Sequence, residues 1–294
     1  LVESSSFFSC STGTHGGAIY FHETGSGQCV FHGLCGNDCR TTTTSGSAWG
    51  QFSYVYVKND AVSKSYVNYS SISHCFNENS NAWHIIRHRF GEQCYPSVNI
   101  SLNKCYGRGL YLTPYDVSNS VTLSMSYSTF ADNTFTTYTC FYLYTTGAQY
   151  EIKSCNILRS TQGTLGTEGT IYTSGNLMIE DSCILENNAN YNFFVSSSSY
   201  TVTLSNCTVD RTTCNQNLVT QNTVTKSFIL ALNHMSTRNC NSKYDAVEML
   251  NPTIHIPSAS KKFLYQLSQR NLVLLHSVFY LSFIHPYPFC DSLC

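Results

Sequence analysis

Three cysteines and one histidine lie close together near the start of the chain. Cys29, His32, Cys35 and Cys39 are near enough in sequence to surround a zinc ion, which thiolate and imidazole ligands bind tetrahedrally. That ligation requires all three thiols to be reduced. In a secreted, cysteine-rich chain a disulfide or unliganded thiols are the simpler interpretation. We therefore assign no metal site and no cofactor.

The densest basic stretch, residues 83–90, is a second candidate for chemistry. In a regular strand, Arg87 and Arg89 share one face, and His84 and His88 share the other. With Trp83 nearby, the arginine face could hold a sulfated or acidic glycan through charge and ring stacking. The alternative interpretation is a solvated strand edge.

Carboxylates are a third candidate, because β-helix enzymes that cut polyuronides bring several of them into one groove. The adjacent acidic pair Glu180 and Asp181 points to opposite faces of a regular strand. The chain also lacks a Gly-x-Ser-x-Gly elbow, a phosphate loop and a dinucleotide fingerprint, so we predict no catalytic site. The remaining charged residues at similar positions favour a surface ion-pair ladder: Glu186, Asp210, Arg159 and Arg211.

Alternating apolar and polar residues recur along most of the chain about every 26 residues, which is too short a unit to bury its own apolar face. The copies must therefore stack as a solenoid. Apolar residues two apart, with β-branched residues between them, favour strands over helices. The steps between successive anchors are 31, 23, 29, 27, 25 and 26 residues, by subtraction along the series Tyr69, Ile100, Leu123, Ile152, Ile179, Leu204 and Leu230.

Two further strand-like pieces follow the anchors. The first pairs an apolar residue with a downstream residue: Phe130 with Asn133, Ile157 with Arg159 and Ser160, Leu185 with Asn188, Val209 with Cys214, and Met235 with Cys240. The second lies at residues 18–21, 83–86, 110–112, 140–144, 170–172 and 193–195. Two or three strands per turn predict an all-β, right-handed parallel β-helix over residues 1–245. About nine turns at roughly 4.8 Å each give a rod about 40 Å long.

The repeats resemble those of polymorphic outer-membrane proteins. Residues 16–19, Gly-Gly-Ala-Ile, match the GGA[I/L] element of that family, and residues 130–133, Phe-Ala-Asp-Asn, match its FxxN element. Residues 169–172 and 76–79 are weaker copies. The resemblance covers about residues 1–245 and implies a pectin-lyase-like β-helix in a surface or secreted adhesin, as in cysteine-rich surface proteins of parasitic protists. It carries no catalytic residues.

The end of the chain has a different character, because the repeat stops after Asp245. Residues 246–294 are predicted to form a non-repeat tail. Within it, residues 259–284 have apolar residues near helical spacing, and Pro286 ends the pattern. The apolar run at residues 272–284 is shorter than the roughly 20 residues of a membrane span. We expect a helix that caps the solenoid; a poorly ordered tail, or a tail sequence that is not genuine, is the alternative.

Composition indicates an extracellular protein. Charged residues make up 11% of the chain, against about 25% in ordinary soluble domains, and the net charge of -1 argues against a nucleic-acid partner. Fifteen cysteines fit an oxidising compartment. Because the chain opens with Leu1, we take it as a fragment, and membrane attachment would depend on a segment outside it. N-glycosylation sequons occur at Asn68, Asn99 and Asn206.

Several cysteines fall near equivalent positions of successive turns. Cys155, Cys183 and Cys207 are expected to form an inward column of small hydrophobic side chains. Stacked turns also meet the spacing that a disulfide requires, so disulfides between turns are the alternative. A pair within one turn, such as Cys207 with Cys214, is equally open.

Together these features predict an extracellular or cell-surface adhesin or interaction scaffold without a catalytic site. Its partners would be host-cell or matrix glycans or proteins. Affinity is expected to come from outward aromatic residues of several turns: Tyr111, Tyr142, Tyr144 and Tyr172. The alternative is a carbohydrate-active β-helix enzyme, a lyase or hydrolase, or a degenerate relative of one.

Overall fold

A computed structural model describes residues 1–43, 48–76, 82–115, 120–163 and 168–225. These residues form strands and no helix, and every strand pairing among them is parallel. The prediction of an all-β chain of stacked parallel strands is therefore confirmed. Four predictions lie outside the described residues, namely the anchor Leu230, the pair Met235 and Cys240, the domain boundary at residue 245, and the tail at residues 246–294.

Three long sheets run along the stack, and neighbouring strands in each come from successive turns. Sheet 1 has nine strands: Val2–Glu3, Gln28–His32, Lys64–Asn68, Glu92–Pro96, Val121–Ser126, Gln149–Lys153, Asn176–Glu180, Val202–Ser205 and Leu218–Gln221. Sheet 2 also has nine: Ser6–Phe8, Cys35–Asn37, Ser71–Ser73, Asn99–Ser101, Thr129–Ala131, Asn156–Leu158, Cys183–Leu185, Thr208–Val209 and Val224–Thr225.

Sheet 3 has seven strands: Ile19–His22, Ser53–Tyr56, His84–Arg89, Arg108–Thr113, Phe141–Leu143, Ile171–Thr173 and Phe193–Val195. Two small sheets complete the described structure: Lys104–Cys105, Thr134–Phe135 and Thr161–Gln162 in one, and Ser11–Thr12 with Arg40–Thr41 in the other. Among these residues no helix has the length and apolar character needed to cross a bilayer.

Equivalent side chains stack in columns because parallel partners keep the same register from turn to turn. Ile152, Ile179 and Leu204 form one such column and are fully buried, as predicted. The next partner of Leu204 is Thr220, much earlier than the 26-residue step requires. This turn is short because sheet 3 has no strand in it.

The three early anchors were assigned to the wrong register. Tyr69 is an exposed corner residue with φ of 49°, and Ile100 belongs to sheet 2. Leu123 stacks on Tyr150, whereas Met125 is the residue that stacks on Ile152. Alternation with a period of two residues identifies a strand, but a slip by two residues leaves the pattern unchanged.

Single residues in the left-handed conformation turn the chain between the sheets. One set of corners, at which sheet 1 passes to sheet 2, has φ between 47° and 65°: Ser4, Gly33, Tyr69, Ser97, Tyr127, Ser154, Asp181, Asn206 and Asn222. A second set follows sheet 2: Ser9, Asp38, His74, Leu102, Asp132, Arg159 and Glu186. Most of these side chains are not glycine, so the stacked neighbours must hold each corner in place.

The FxxN element has a structural role in the stack. Phe130 is buried, and Asn133 joins two turns: its Nδ2 donates to the Ile100 carbonyl at 2.9 Å, and its Oδ1 accepts from the Asn103 backbone N–H at 3.0 Å. The equivalent residue two turns later is Asn187, whose Nδ2 donates to the Ile157 carbonyl at 2.8 Å. The repeat is therefore a hydrogen-bond ladder between turns.

This ladder corrects two predicted pairings. Ile157 stacks on Ile184, so Asn187 is the ladder residue of that turn, and the predicted pair of Leu185 with Asn188 is one residue late. Cys214 bridges to Phe193 of sheet 3 and does not follow the same pattern. The short strands of sheet 2 offer too few alternating residues to fix the register from sequence.

The paired glycines of the GGA[I/L] element are required by close backbone contacts. Gly16 has φ of 64°, and a Cβ there would lie 2.1 Å from the Ile19 carbonyl oxygen. A Cβ on Gly17 would lie 2.1 Å from the Gln51 carbonyl oxygen of the next turn. No L side chain fits either position without backbone movement.

Most of the described cysteines are buried free thiols. Cys155 and Cys207 lie in the core, but Ser182 occupies the position between them, and its hydroxyl accepts a hydrogen bond from the Cys155 backbone N–H at 3.0 Å. Cys183 instead begins a strand of sheet 2, opposite Asn156 and Thr208. The expected column of three cysteines is therefore wrong by one residue at Cys183.

Candidate functional site: the outer face of sheet 3

A column of six aromatic rings and one guanidinium runs along the outer face of sheet 3. The parallel register aligns one residue from each of the seven strands, and we call this column the aromatic ladder: Tyr20, Tyr54, Arg87, Tyr111, Tyr142, Tyr172 and Phe194. In the central strands each member lies between two inward apolar residues, as Tyr142 lies between Phe141 and Leu143. Strand alternation therefore directs the whole column outward.

The rings of the ladder stack on each other at nearly the spacing of the turns. Ring centroids are 5.3 Å apart between Tyr111 and Tyr142, 4.4 Å between Tyr142 and Tyr172, and 5.7 Å between Tyr172 and Phe194. Near the first turns, Tyr20 and Tyr54 stack at 5.4 Å and 9°. Each such pair contributes about 0.5–1.5 kcal/mol beyond its burial, so the column is ordered before any ligand arrives.

The four tyrosines named from the sequence all lie on this face. Tyr111, Tyr142 and Tyr172 are ladder members, and Tyr144 stacks beside Tyr142 at 5.0 Å. Tyr144 is 48% exposed, whereas Tyr142 is only 7% exposed because its neighbours cover its faces. Tyr20, 54% exposed, extends the accessible surface towards the first turn.

Arg87 occupies the ladder position where the other strands carry a ring. Its guanidinium carbon lies 3.7 Å from the centroid of Trp49 and 4.9 Å from that of Tyr111. Burial lowers the pKa of Arg87 to about 10, so the guanidinium is still a cation at neutral pH. The cation is thus held between aromatic faces within the stack.

Arg89 continues the same outward face of the strand, as predicted. Its guanidinium carbon lies 5.3 Å from the centroid of Tyr56 and 4.8 Å from that of Phe90. Beside it is a shallow cavity of ≈ 270 Å³, which we call the Arg89 groove. Its lining residues are Asn59, Arg89, Phe90, Tyr111, Thr113, Pro114, Tyr144, Thr145 and Thr146.

The two histidines of this strand lie on different sides of the sheet, contrary to the prediction. His88 faces inward, where Ser53, Ser65 and Tyr95 hydroxyls lie 2.9–3.1 Å from its ring nitrogens. Burial lowers the pKa of His88 to about 3, so the ring is neutral. His84 packs on the outer side against the edge of Tyr111, with centroids 4.8 Å apart.

His84 changes side because Ile85 and Ile86 both enter the core, which breaks the regular alternation. Within the described structure neither ring nitrogen of His84 has a hydrogen-bond partner. Burial, together with the positive charges of Arg87 and Arg108, holds its pKa well below the usual value. His84 is therefore a neutral group between two cations.

Arg108 closes the other side of the ladder. Its guanidinium carbon lies 3.7 Å from the centroid of Tyr142 and 4.3 Å from that of Tyr138. It pairs with Glu168, with 3.5 Å between Nη2 and Oε1. Burial raises the pKa of Glu168 and the Arg108 charge opposes that rise.

The carboxylates considered from the sequence lie away from this face. Glu180 pairs with Lys153 at 3.2 Å, and Asp181 is the adjacent corner residue, with φ of 49°. The corner turns Asp181 towards solvent beside Glu180, so the two do not point to opposite faces. Asp210 accepts a hydrogen bond from the Glu186 backbone N–H at 2.7 Å.

Ion pairs between turns do occur on the surface. Arg159 pairs with Asp132 of the preceding turn through Nε and Nη2, at 2.6 and 2.8 Å. Arg211 instead donates to the Asn192 side chain at 3.2 Å. The predicted ladder is therefore present at Arg159, with a different acidic partner from those named.

The early cysteines are dispersed over different strands. Cys29 is buried in sheet 1, Cys35 begins a strand of sheet 2, and buried Cys39 donates to the Phe7 carbonyl at 3.4 Å. In the part of the chain that the structure describes, no three His, Cys, Asp or Glu side chains are grouped for a metal ion.

Comparison of the chain with models of known families, with curated proteins and with solved structures finds no match. The resemblance to polymorphic outer-membrane-protein repeats therefore rests on the GGA[I/L] and FxxN elements themselves. Both elements have physical roles in the stack, at Gly16, Gly17 and Asn133. The function has to be argued from the surface of sheet 3.

Proposed function

We propose that this protein is an extracellular or cell-surface adhesin or interaction scaffold, and that the aromatic ladder is its ligand-binding surface. The finer assignment of the fold, a right-handed and pectin-lyase-like β-helix, belongs to the same proposal. Its support is the near-universal right hand of crossovers between parallel strands. The resemblance of the repeats to those of surface proteins supports the extracellular location.

The observation that carries the functional proposal is the register of sheet 3, which stacks aromatic side chains over seven strands on one outer face. Stacked rings are rigid, so a ligand gains contact area at little cost in side-chain entropy. An extended solenoid face suits a long ligand that contacts several turns. Glycan chains and extended protein segments both have this shape.

Catalysis is not part of the proposal. A polyuronide-cleaving site needs several carboxylates that converge on one groove. On the described outer face of sheet 3, the carboxylate beside the ladder is Glu168, and Arg108 already engages it. A binding surface is the function that the ring geometry favours.

Binding to cultured cells, matrix proteins and a glycan array tests the proposal. Tyr20→Ser and Tyr144→Ser remove exposed rings from the sheet 3 face, and we expect each to weaken binding by about 1 kcal/mol or more, with a larger loss for the double variant. Tyr127→Ser is the matched control. Tyr127 is 56% exposed at a corner where the neighbouring turns carry Ser97 and Ser154.

All variants should keep the wild-type circular dichroism spectrum. If the wild-type chain binds no cell, matrix protein or glycan, the rod is a spacer and the proposal fails. Equal binding losses for Tyr127→Ser and Tyr144→Ser would place the ligand elsewhere.

A further inference from the structure

We infer that the Arg89 groove binds the acidic group of a sulfated or uronic-acid saccharide, with Arg87 and Arg89 as the cations that recognise it. This inference rests on the proposed function, since the groove adjoins the aromatic ladder through Tyr111. It goes further by assigning a chemical class of ligand to one place on the surface.

Charge is the first argument. Neither Arg87 nor Arg89 forms an ion pair with any carboxylate in the described structure, although pairing is common elsewhere on the surface. The paired cations are Arg40, Lys58, Lys64, Arg108, Lys153 and Arg159. In a chain with a net charge of -1, two adjacent unpaired guanidinium groups form a local positive site.

The second argument is the orientation of the two guanidinium groups. Arg87 lies over Trp49, and Arg89 lies near the rings of Tyr56 and Phe90. Ring contacts occupy guanidinium faces, whereas the N–H groups point outward in the guanidinium plane. Those N–H groups can make paired hydrogen bonds to two oxygens of a sulfate or carboxylate. The aromatic contacts restrict both side chains before the ligand binds.

The third argument is the lining of the groove. Tyr111 and Tyr144, with centroids 6.2 Å apart, offer apolar surface for a sugar ring. Thr113 also lines the groove; it is 7% exposed, and its hydroxyl oxygen has no hydrogen-bond partner in the described part of the chain. A buried hydroxyl without a partner is costly, and a ligand hydroxyl could satisfy it. The groove volume of ≈ 270 Å³ accommodates a small part of a saccharide chain.

This combination favours an acidic saccharide over other anionic polymers. A nucleic acid requires many phosphate contacts from a concentrated basic face, and two arginines do not provide them. The groove instead places cations, exposed rings and hydroxyl groups together, which suits the charged, apolar and hydroxyl parts of an acidic sugar.

Calorimetric titration of the full chain tests the inference with defined probes: heparin-derived and polygalacturonate-derived hexasaccharides, a neutral cello-hexasaccharide, and poly-glutamate. We expect an acidic hexasaccharide to bind at least about tenfold more tightly than the neutral one. Its affinity should fall as sodium chloride rises from about 50 to about 500 mM, because salt screens exposed charges.

Arg89→Gln should weaken binding of the acidic hexasaccharide at least about tenfold, and Arg89→Lys, which keeps the charge but loses the paired donors, by less. Lys153→Gln removes one positive charge from the outer side of sheet 1 and should change affinity by less than about twofold. Circular dichroism and thermal melting verify that each variant folds. Arg89→Lys keeps the test valid if Arg89→Gln does not fold.

Equal affinity for acidic and neutral hexasaccharides, or equal effects of Arg89→Gln and Lys153→Gln, would overturn the inference. Poly-glutamate that binds as tightly as the saccharides would overturn the ligand class. If the Tyr144→Ser variant loses adhesion while no acidic saccharide binds, the inference fails and the proposed function stands. If the wild-type chain adheres to nothing, both fail.

Discussion

Asn133 offers the sharpest test of how the stack is held together. It is 1% exposed, and its side chain connects three successive groups of the preceding turn. The amide Nδ2 donates to the Ile100 carbonyl at 2.9 Å, and Oδ1 accepts from the backbone N–H and the Nδ2 of Asn103 at 3.0 and 3.1 Å. Asn133→Ala removes all three bonds at once.

The expected cost follows from the groups that the substitution leaves behind. A net hydrogen bond contributes about 1 kcal/mol, whereas a buried polar group left without a partner costs about 1–3 kcal/mol. The Ile100 carbonyl and the Asn103 N–H lose this partner, and little side-chain volume is removed. We therefore expect Asn133→Ala to lower the free energy of unfolding by about 2–5 kcal/mol.

Asp132→Asn is the matched control in the neighbouring position. Asp132 has φ of 57°, which asparagine tolerates well, and its ion pair with Arg159 is exposed. Loss of an exposed ion pair costs at most about 1 kcal/mol. Urea unfolding followed by far-ultraviolet circular dichroism measures both variants against the wild-type chain. A midpoint for Asn133→Ala equal to that for Asp132→Asn would refute the role of the ladder.

Three further predictions concern the core, acid stability and catalysis. Leu204→Asp should unfold the adjoining turns, because a buried carboxylate in the apolar column has no partner; limited proteolysis should then cut the chain near this turn, and wild-type resistance would contradict it. His88 has a pKa lowered to about 3 in the folded state, so its stabilising effect is complete above pH about 6.5 and is lost as the pH falls towards about 3. Between pH about 6.5 and about 5, His88→Asn should therefore reduce the acid-induced loss of stability by up to about 1.4 kcal/mol per pH unit, and an unchanged slope in urea titrations would count against it. Purified protein should not cleave polygalacturonate or pectin with or without calcium, and turnover that depends on Glu186 or Asp210 would favour the enzyme alternative.

The sequence was sufficient to predict strands, stacking and part of the core. Residues alternate clearly where a sheet has one buried face, so Ile152, Ile179 and Leu204 could be aligned by their spacing. The strand Ser53–Tyr56 was missed, although Tyr54 between Ser53 and Val55 repeats the pattern of the other sheet 3 strands. Variable loop lengths place this strand outside a regular period.

The corners could not be predicted from local preference. Tyr127, Leu102 and Arg159 adopt positive φ angles that such residues rarely choose. The turns above and below impose this geometry, and no local sequence signal records it. A one-residue error in placing a corner shifts every later side chain, as happened at Cys183 and Asn188.

The aromatic ladder could be found only through the register. Tyr20, Tyr54 and Arg87 are far apart in sequence and at irregular intervals, yet parallel pairing places them side by side. A sequence signal does exist, because most sheet 3 strands carry an aromatic residue between two inward positions. The guanidinium at Arg87 interrupts that signal while preserving the stack.

Hydroxyl-radical footprinting on the ladder tests the central proposal most directly, with the strongest glycan-array ligand as the probe. Oxidation of Tyr20 and Tyr144 should fall when the ligand is bound, because both are exposed on the sheet 3 face. Tyr69 and Tyr127, exposed at the corners between sheets 1 and 2, should be oxidised equally in both states. Protection of Tyr69 and Tyr127 with no change at Tyr20 and Tyr144 would show that the ligand binds another surface.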